Sequence, residues 1–166
     1  MDSENQEQVE KNLALQRMQG LDSALDEYEC SVGLSVFREK GWDDTKLLLN
    51  LSRREMEAMT PQQCGEAALM LGGFSFYIQR AFNRETARVK WADSNLKKML
   101  AGQESQFRGS WDSQFYQAVN QDDYAKKMLK LRDYAKQREL RLTYLGTSIK
   151  NMSDLFVNLQ RAKGMK

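Results

Sequence analysis

Two apolar series that alternate steps of three and four residues constrain the fold of this 166-residue chain more than any other feature. The first runs Cys64, Ala67, Leu71, Phe74, Ile78, Ala81, Glu85, Val89, Ala92, Leu96 and Met99. The second runs Tyr124, Met128, Leu131, Ala135, Arg138, Leu142, Leu145, Ile149, Met152, Phe156 and Leu159, with Arg138 its only polar member. A helix turns about once every 3.6 residues, so this alternation draws one stripe along a helix, whereas a strand needs a period of two. Two seam-bearing helices of similar length joined by a corner pack as an antiparallel hairpin. The expected fold is all-α: a long hairpin over 60–166 with a smaller acidic helical region over 1–59, forming one structural domain.

Local signals place the ends of these helices. Thr60-Pro61-Gln62-Gln63 reads as an N-terminus, with Thr60 capping, Pro61 at the first helical position and Gln63 completing a capping box. The spacing predicts a helix from there to Phe107, about ten turns long. Gly72-Gly73 either bends it or lets a neighbouring helix approach closely. Gly109, Ser110 and Asp112 mark the corner, and Trp111, Phe115, Tyr116 and Val119 form a short aromatic helix. The second long helix is expected without interruption over 121–163. Upstream, a helix is predicted from Glu4 to Glu29, a short element carries Leu34, Val36 and Phe37, and a helix capped at Asp43 or Asp44 runs to Met59.

Much chemistry is excluded by composition. The chain has no histidine, which removes Ser-His and Cys-His nucleophile pairs, His-ligated metals and the commonest general base. No Walker phosphate loop, GxGxxG or GxSxG occurs, and neither a cofactor nor a metal is expected. The acidic clusters (Asp26, Glu27 and Glu29; Asp43 and Asp44; Asp122 and Asp123) read as helix caps and solvated faces rather than as cation ligands. Cys30 and Cys64 read as ordinary thiols of a reducing compartment. With no apolar run of membrane length and no basic-then-apolar leader, the expected location is cytoplasmic, in an infected bacterium if the chain is phage-encoded. An enzyme is not expected.

Charge is unevenly spread. Residues 1–60 carry 13 acidic and 7 basic side chains, a net of −6, so the remainder, with 10 and 18, carries +8. Arg80, Arg84, Arg88, Lys90, Lys97 and Lys98 interleave with Tyr77, Phe82 and Trp91 on the first long helix, and Lys126, Lys127 and Lys130 follow on the second. Few acids stand at i+4 to neutralise them. Cations beside aromatic rings can meet phosphates and stack bases, although such a run also serves as a plain solvated face. Trp91 is open to two readings, a stacking platform or a buried core residue. The acidic N-terminal region repels phosphate, and either shields the basic patch or meets a protein partner.

Apolar residues exceed what one seam needs (Leu100, Leu129, Leu140, Leu155 and Val157), so self-association is the economical solution. A homo-oligomer is expected, held through Leu142, Leu145, Ile149, Met152, Phe156 and Leu159.

The run Asp122-Asp123-Tyr124, Lys126-Lys127-Met128-Leu129-Lys130, Arg141-Leu142-Thr143-Tyr144-Leu145-Gly146 and Ser148-Ile149-Lys150-Asn151-Met152 resembles the last long helix of phage recombination mediators of the UvsY type. Asn83-Arg84-Glu85-Thr86-Ala87-Arg88-Val89-Lys90-Trp91 is similar in placement to that family's basic-aromatic DNA-binding stretch. The likeness covers roughly residues 75–160. The family's Tyr-Tyr-Ser-Gly-like turn is replaced by Trp91-Ala92-Asp93-Ser94, and the acidic N-terminal region is longer. The resemblance implies a helical protein that forms a ring-like homo-oligomer, binds single-stranded DNA, and helps a RecA-like recombinase displace a single-strand DNA-binding protein. Two alternatives stand beside it: a phage structural or assembly protein using the helices for self-association alone, and a helical adaptor for one host protein.

Overall fold

A computed structural model describes residues 2–34, 43–101 and 106–165, and all regular structure among them is helical. The helices are α1 (Asp2–Ser31), α2 (Asp43–Leu49), α3 (Arg53–Ala58), α4 (Pro61–Leu100), α5 (Trp111–Gln121), α6 (Asp123–Leu142) and α7 (Leu145–Gly164). They form two compact units. The first takes α1, α4 from Asn83 onward, α5 and α6 to Leu140; the second takes α2, α3, α4 to Phe82, and the chain from Arg141. The unit boundaries therefore fall elsewhere than at 59/60.

The expected capping box starts α4. Thr60 N–H donates to Gln63 Oε1 at 2.8 Å, and Gln63 N–H donates to Thr60 Oγ1 at 3.2 Å. Helix α4 stays helical through Gly72-Gly73 and ends at Leu100, with residues 102–105 outside the described part. Two expectations of continuity fail. The helix foreseen between Asp43 and Met59 is two, because Ser52-Arg53-Arg54-Glu55 is itself a capping box: Ser52 N–H donates to Glu55 Oε2 at 2.7 Å and Glu55 N–H to Ser52 Oγ. The helix foreseen over 121–163 starts at Asp123, behind Asp122, whose carboxylate accepts from Ala125 N–H at 2.9 Å, and it breaks once. The break is at Tyr144, held left-handed at φ 64°. That conformation opposes an L side chain by about 1–2 kcal/mol, and no glycine or proline stands at the position to announce it. Of the element placed on Leu34, Val36 and Phe37, the last two residues lie outside the described part.

In the first unit α6 runs antiparallel to the second part of α4. Thr86 Oγ1 donates to Glu139 at 2.7 Å and Arg132 reaches Asp93 at 3.3 Å. The core gathers Ala14 from α1, Ala92, Leu96 and Leu100 from α4, Phe115, Ala118 and Val119 from α5, and Ala125 and Met128 from α6. The four alanines let four helices approach around the larger Leu96, Leu100, Phe115, Val119 and Met128.

In the second unit α7 runs antiparallel to the first part of α4. Ser153 Oγ donates to the Ala68 carbonyl at 2.7 Å, and a Cβ at Gly72 would meet Ser153 Oγ in ordinary contact, 3.7 Å away. Ile149 and Phe156 are buried against Cys64, Ala67, Ala68 and Leu71, with Leu142, Met152 and Leu159 packed around them. These are the residues assigned above to self-association, and the chain's own core already takes them up; Leu145 alone of that set is exposed. Lys163 Nζ closes the unit by donating to the carbonyls of Met56, Glu57 and Met59 at 2.6–3.1 Å, at the carbonyl-rich end of α3. Both cysteines are free thiols. No helix among the described residues is long and apolar enough to cross a membrane.

Candidate nucleic-acid interface

The basic residues of the first unit divide by environment. Arg84 and Arg88, four residues apart on α4, turn toward α1. Arg84 holds Glu29 through two nitrogens, at 3.1 and 3.2 Å, and also pairs with Asp26. Arg88 grips Asp22 in a two-pronged bond at 2.8 and 2.9 Å and pairs with Glu85. Such fork-to-carboxylate bonds are directional and charge-assisted. Burial opposes the Arg84 charge, but the bonds from Glu29 and Asp26 outweigh it and raise its pKa. The bond from Asp22 does the same for Arg88. Both stay charged, and both charges are already answered within the chain.

Glu85 and Arg138, the polar members of the two apolar series, meet across the first unit. Glu85 Oε2 lies 3.0 Å from Arg138 Nη2, in ion-pairing distance but out of line for a hydrogen bond. Glu85 is buried while Arg138 is 47% exposed at its side chain, so the pair sits at the edge of the core.

The lysines of α6 differ. Lys126, Lys127 and Lys130 line a cleft of about 540 Å³ against Ala14 and Leu15 of α1, with Asp123 and Leu131. Lys126 pairs with Asp123 at 2.7 Å, and that bond holds the Asp123 carboxyl below its ordinary range. Near this end Arg17 donates to the Tyr124 hydroxyl at 3.0 Å, its guanidinium 5.2 Å from the ring centre. A groove with an apolar floor and a cationic rim suits a chain that alternates flat apolar groups with phosphates.

The other assigned residues are scattered. Lys90 is exposed on α4, and Lys97 and Lys98 are exposed in its last turn, where the helix dipole favours cations. Arg80 belongs to the second unit and is half-buried there. Trp91 is half-buried and packs against the core of the first unit. The acidic clusters mostly face cations or cap helices: Asp26 and Glu29 on Arg84, Asp43 on Lys46, Asp122 on a helix start and Asp123 on Lys126.

Sequence reasoning passes over Arg17 and the exposure of two rings on α5. Trp111 is 54% and Tyr116 48% exposed, while Phe115 between them is buried. The signal is present in the spacing: Phe115, Ala118 and Val119 make the inner face, which leaves Tyr116 beyond it and Trp111 at the first helical position. No family model matches the chain, and no curated protein or solved structure matches it.

Proposed function

We propose that this chain is a single-stranded DNA-binding recombination mediator that helps load a RecA-like recombinase, with the strand held on the first unit. The lysine-lined cleft carries the reading: Lys126, Lys127 and Lys130 stand together over an apolar floor, where phosphates and bases can be met at once. The sequence likeness of residues 75–160 to recombination mediators supports the recombinase and single-strand DNA-binding protein as partners. Changing Lys126, Lys127 and Lys130 to Gln is expected to weaken oligothymidylate binding at least about tenfold and to lower the salt slope by about 0.7 for each phosphate no longer neutralised, near 2 for all three. Fluorescence anisotropy over a salt series reads both. Unchanged affinity and slope in a folded variant would sink the cleft assignment.

In this reading α1 shields Arg84 and Arg88 from phosphate. Truncating α1 is a poor test, because its Ala14 and Met18 are part of the buried core. Asp22→Asn, Asp26→Asn and Glu29→Gln together remove the charge and keep the helix. The expected result is single-strand affinity equal to or above wild type, with a salt slope steeper by up to about 1.4 if both arginines engage phosphate, and a lower melting temperature. A large loss of affinity in a folded variant would show that α1 itself contacts the strand.

A second reading, a phage structural or assembly protein using self-association without nucleic-acid binding, draws on the second unit. There Leu69 and Phe76 are 80% and 58% exposed beside Gly65, Gly72, Gly73 and Val157. Light scattering that shows an oligomer, combined with no salt-dependent DNA binding, would favour it.

A further inference from the structure

A second, smaller cleft of about 220 Å³ opens in the first unit where the end of α4, the start of α5 and α6 meet. Trp111, Phe115, Tyr116, Lys97 and Arg132 line it together with Asp93 and Asp112. Ser110 caps α5 by accepting from Ser113 N–H, which fixes the helix start and with it the position of Trp111. The indole stacks on Phe115 at 5.4 Å and 18°, and Phe115 is anchored in the core, so the exposed ring is held from one side. Tyr116 meets Phe115 edge-on at 5.5 Å. Arg132 is steadied by Asp133 at 2.7 Å and Asp93 at 3.3 Å.

We propose that this cleft is a nucleobase-stacking subsite of the single-strand surface, with Trp111 as the platform and Tyr116 as the flanking ring. The inference rests on the single-strand reading above and adds where a base would sit. An exposed, pre-positioned indole gives a base a flat partner at little ordering cost. Lys97 and Arg132 flank it where the neighbouring phosphates of a strand run. Asp93 and Asp112 offset those two cations, so the cleft contributes stacking rather than net attraction, and its contribution is nearly independent of salt. A duplex hides its base faces, which restricts the site to single strands, RNA or DNA alike.

The test compares oligothymidylate with an abasic oligonucleotide of the same length, so that phosphates stay constant and only bases are removed. Wild type should prefer the oligothymidylate. Trp111→Ala should lower oligothymidylate affinity about tenfold, leave the salt slope unchanged and shrink the preference over the abasic strand; Trp111→Phe should keep most of both. Tyr116→Ala, at the other exposed ring, should narrow the preference too, and serves if Trp111→Ala melts early. The subsite is overturned if folded Trp111→Ala and Tyr116→Ala proteins bind oligothymidylate as wild type does, or lose affinity for both strands equally. If wild type binds neither strand, the single-strand reading itself fails and the subsite with it; binding with undiminished base preference in the variants removes the subsite alone.

Discussion

Replacing Phe156 with alanine is expected to destabilise the second unit by about 3–5 kcal/mol. The ring is fully buried, in a core to which α4 gives Cys64, Ala67, Ala68, Leu71 and Ile78. Removing it takes away the transfer energy of the ring and leaves a cavity that the surrounding side chains refill only in part. Leu155, 41% exposed and adjacent, is the control, and Leu155→Ala should change stability by only about 0.5–1 kcal/mol. Urea unfolding followed by circular dichroism at several protein concentrations makes the comparison informative. A loss independent of concentration identifies Phe156 as a core residue of the single chain; a loss that grows on dilution would place it between copies, as the apolar surplus of the sequence suggests. A loss below about 1 kcal/mol would contradict the burial.

Glu85 is the second position with a large expected effect. Its carboxylate is buried between Arg88 and Arg138, so Glu85→Gln leaves two guanidinia facing a neutral amide at the edge of an apolar seam. Removing one partner of a buried ion pair costs about 3–5 kcal/mol. Arg88 retains Asp22, and Arg138 has solvent at hand, which reduces the expected loss to about 2–3 kcal/mol. The double variant Glu85→Leu with Arg138→Leu restores an apolar seam and should recover to within about 1 kcal/mol of wild type or exceed it. If the double variant is no better than Glu85→Gln, the seam needs the charge pair for its alignment rather than tolerating it.

The same pair shows how far the chain can be read in one dimension. Glu85 and Arg138 are visible as the polar members of two apolar series, yet nothing in either series says that they face each other. Their meeting depends on the alignment of α4 with α6, which the Thr86 to Glu139 bond and the Arg132 to Asp93 pair share. The basic clusters show a related gap. Few acids stand one helical turn from Arg84 and Arg88, so both read as available to phosphate, but besides Glu85 their carboxylates come from α1, 58 and 66 residues away for Asp26 and Asp22. Trp91 and Trp111 differ in exposure for a similar reason: the aromatic among cations on a long helix packs inward, and the one at a corner stays in solvent.

What the sequence determined by itself was the all-helical class, the α4 start at Thr60-Pro61, the corner at Ser110 and the positions of both seams. Each depends on neighbours within about four residues, where helix periodicity, capping bonds and missing prolines act without the rest of the chain. Only the tertiary structure decided that α6 and α7 separate at Tyr144, since a left-handed tyrosine carries no local mark and persists only where packing on both sides repays it. It alone also decided which cations face solvent. That choice depends on where α1 lies against α4 and α6, and a carboxylate's reach across space is not written in its distance along the chain.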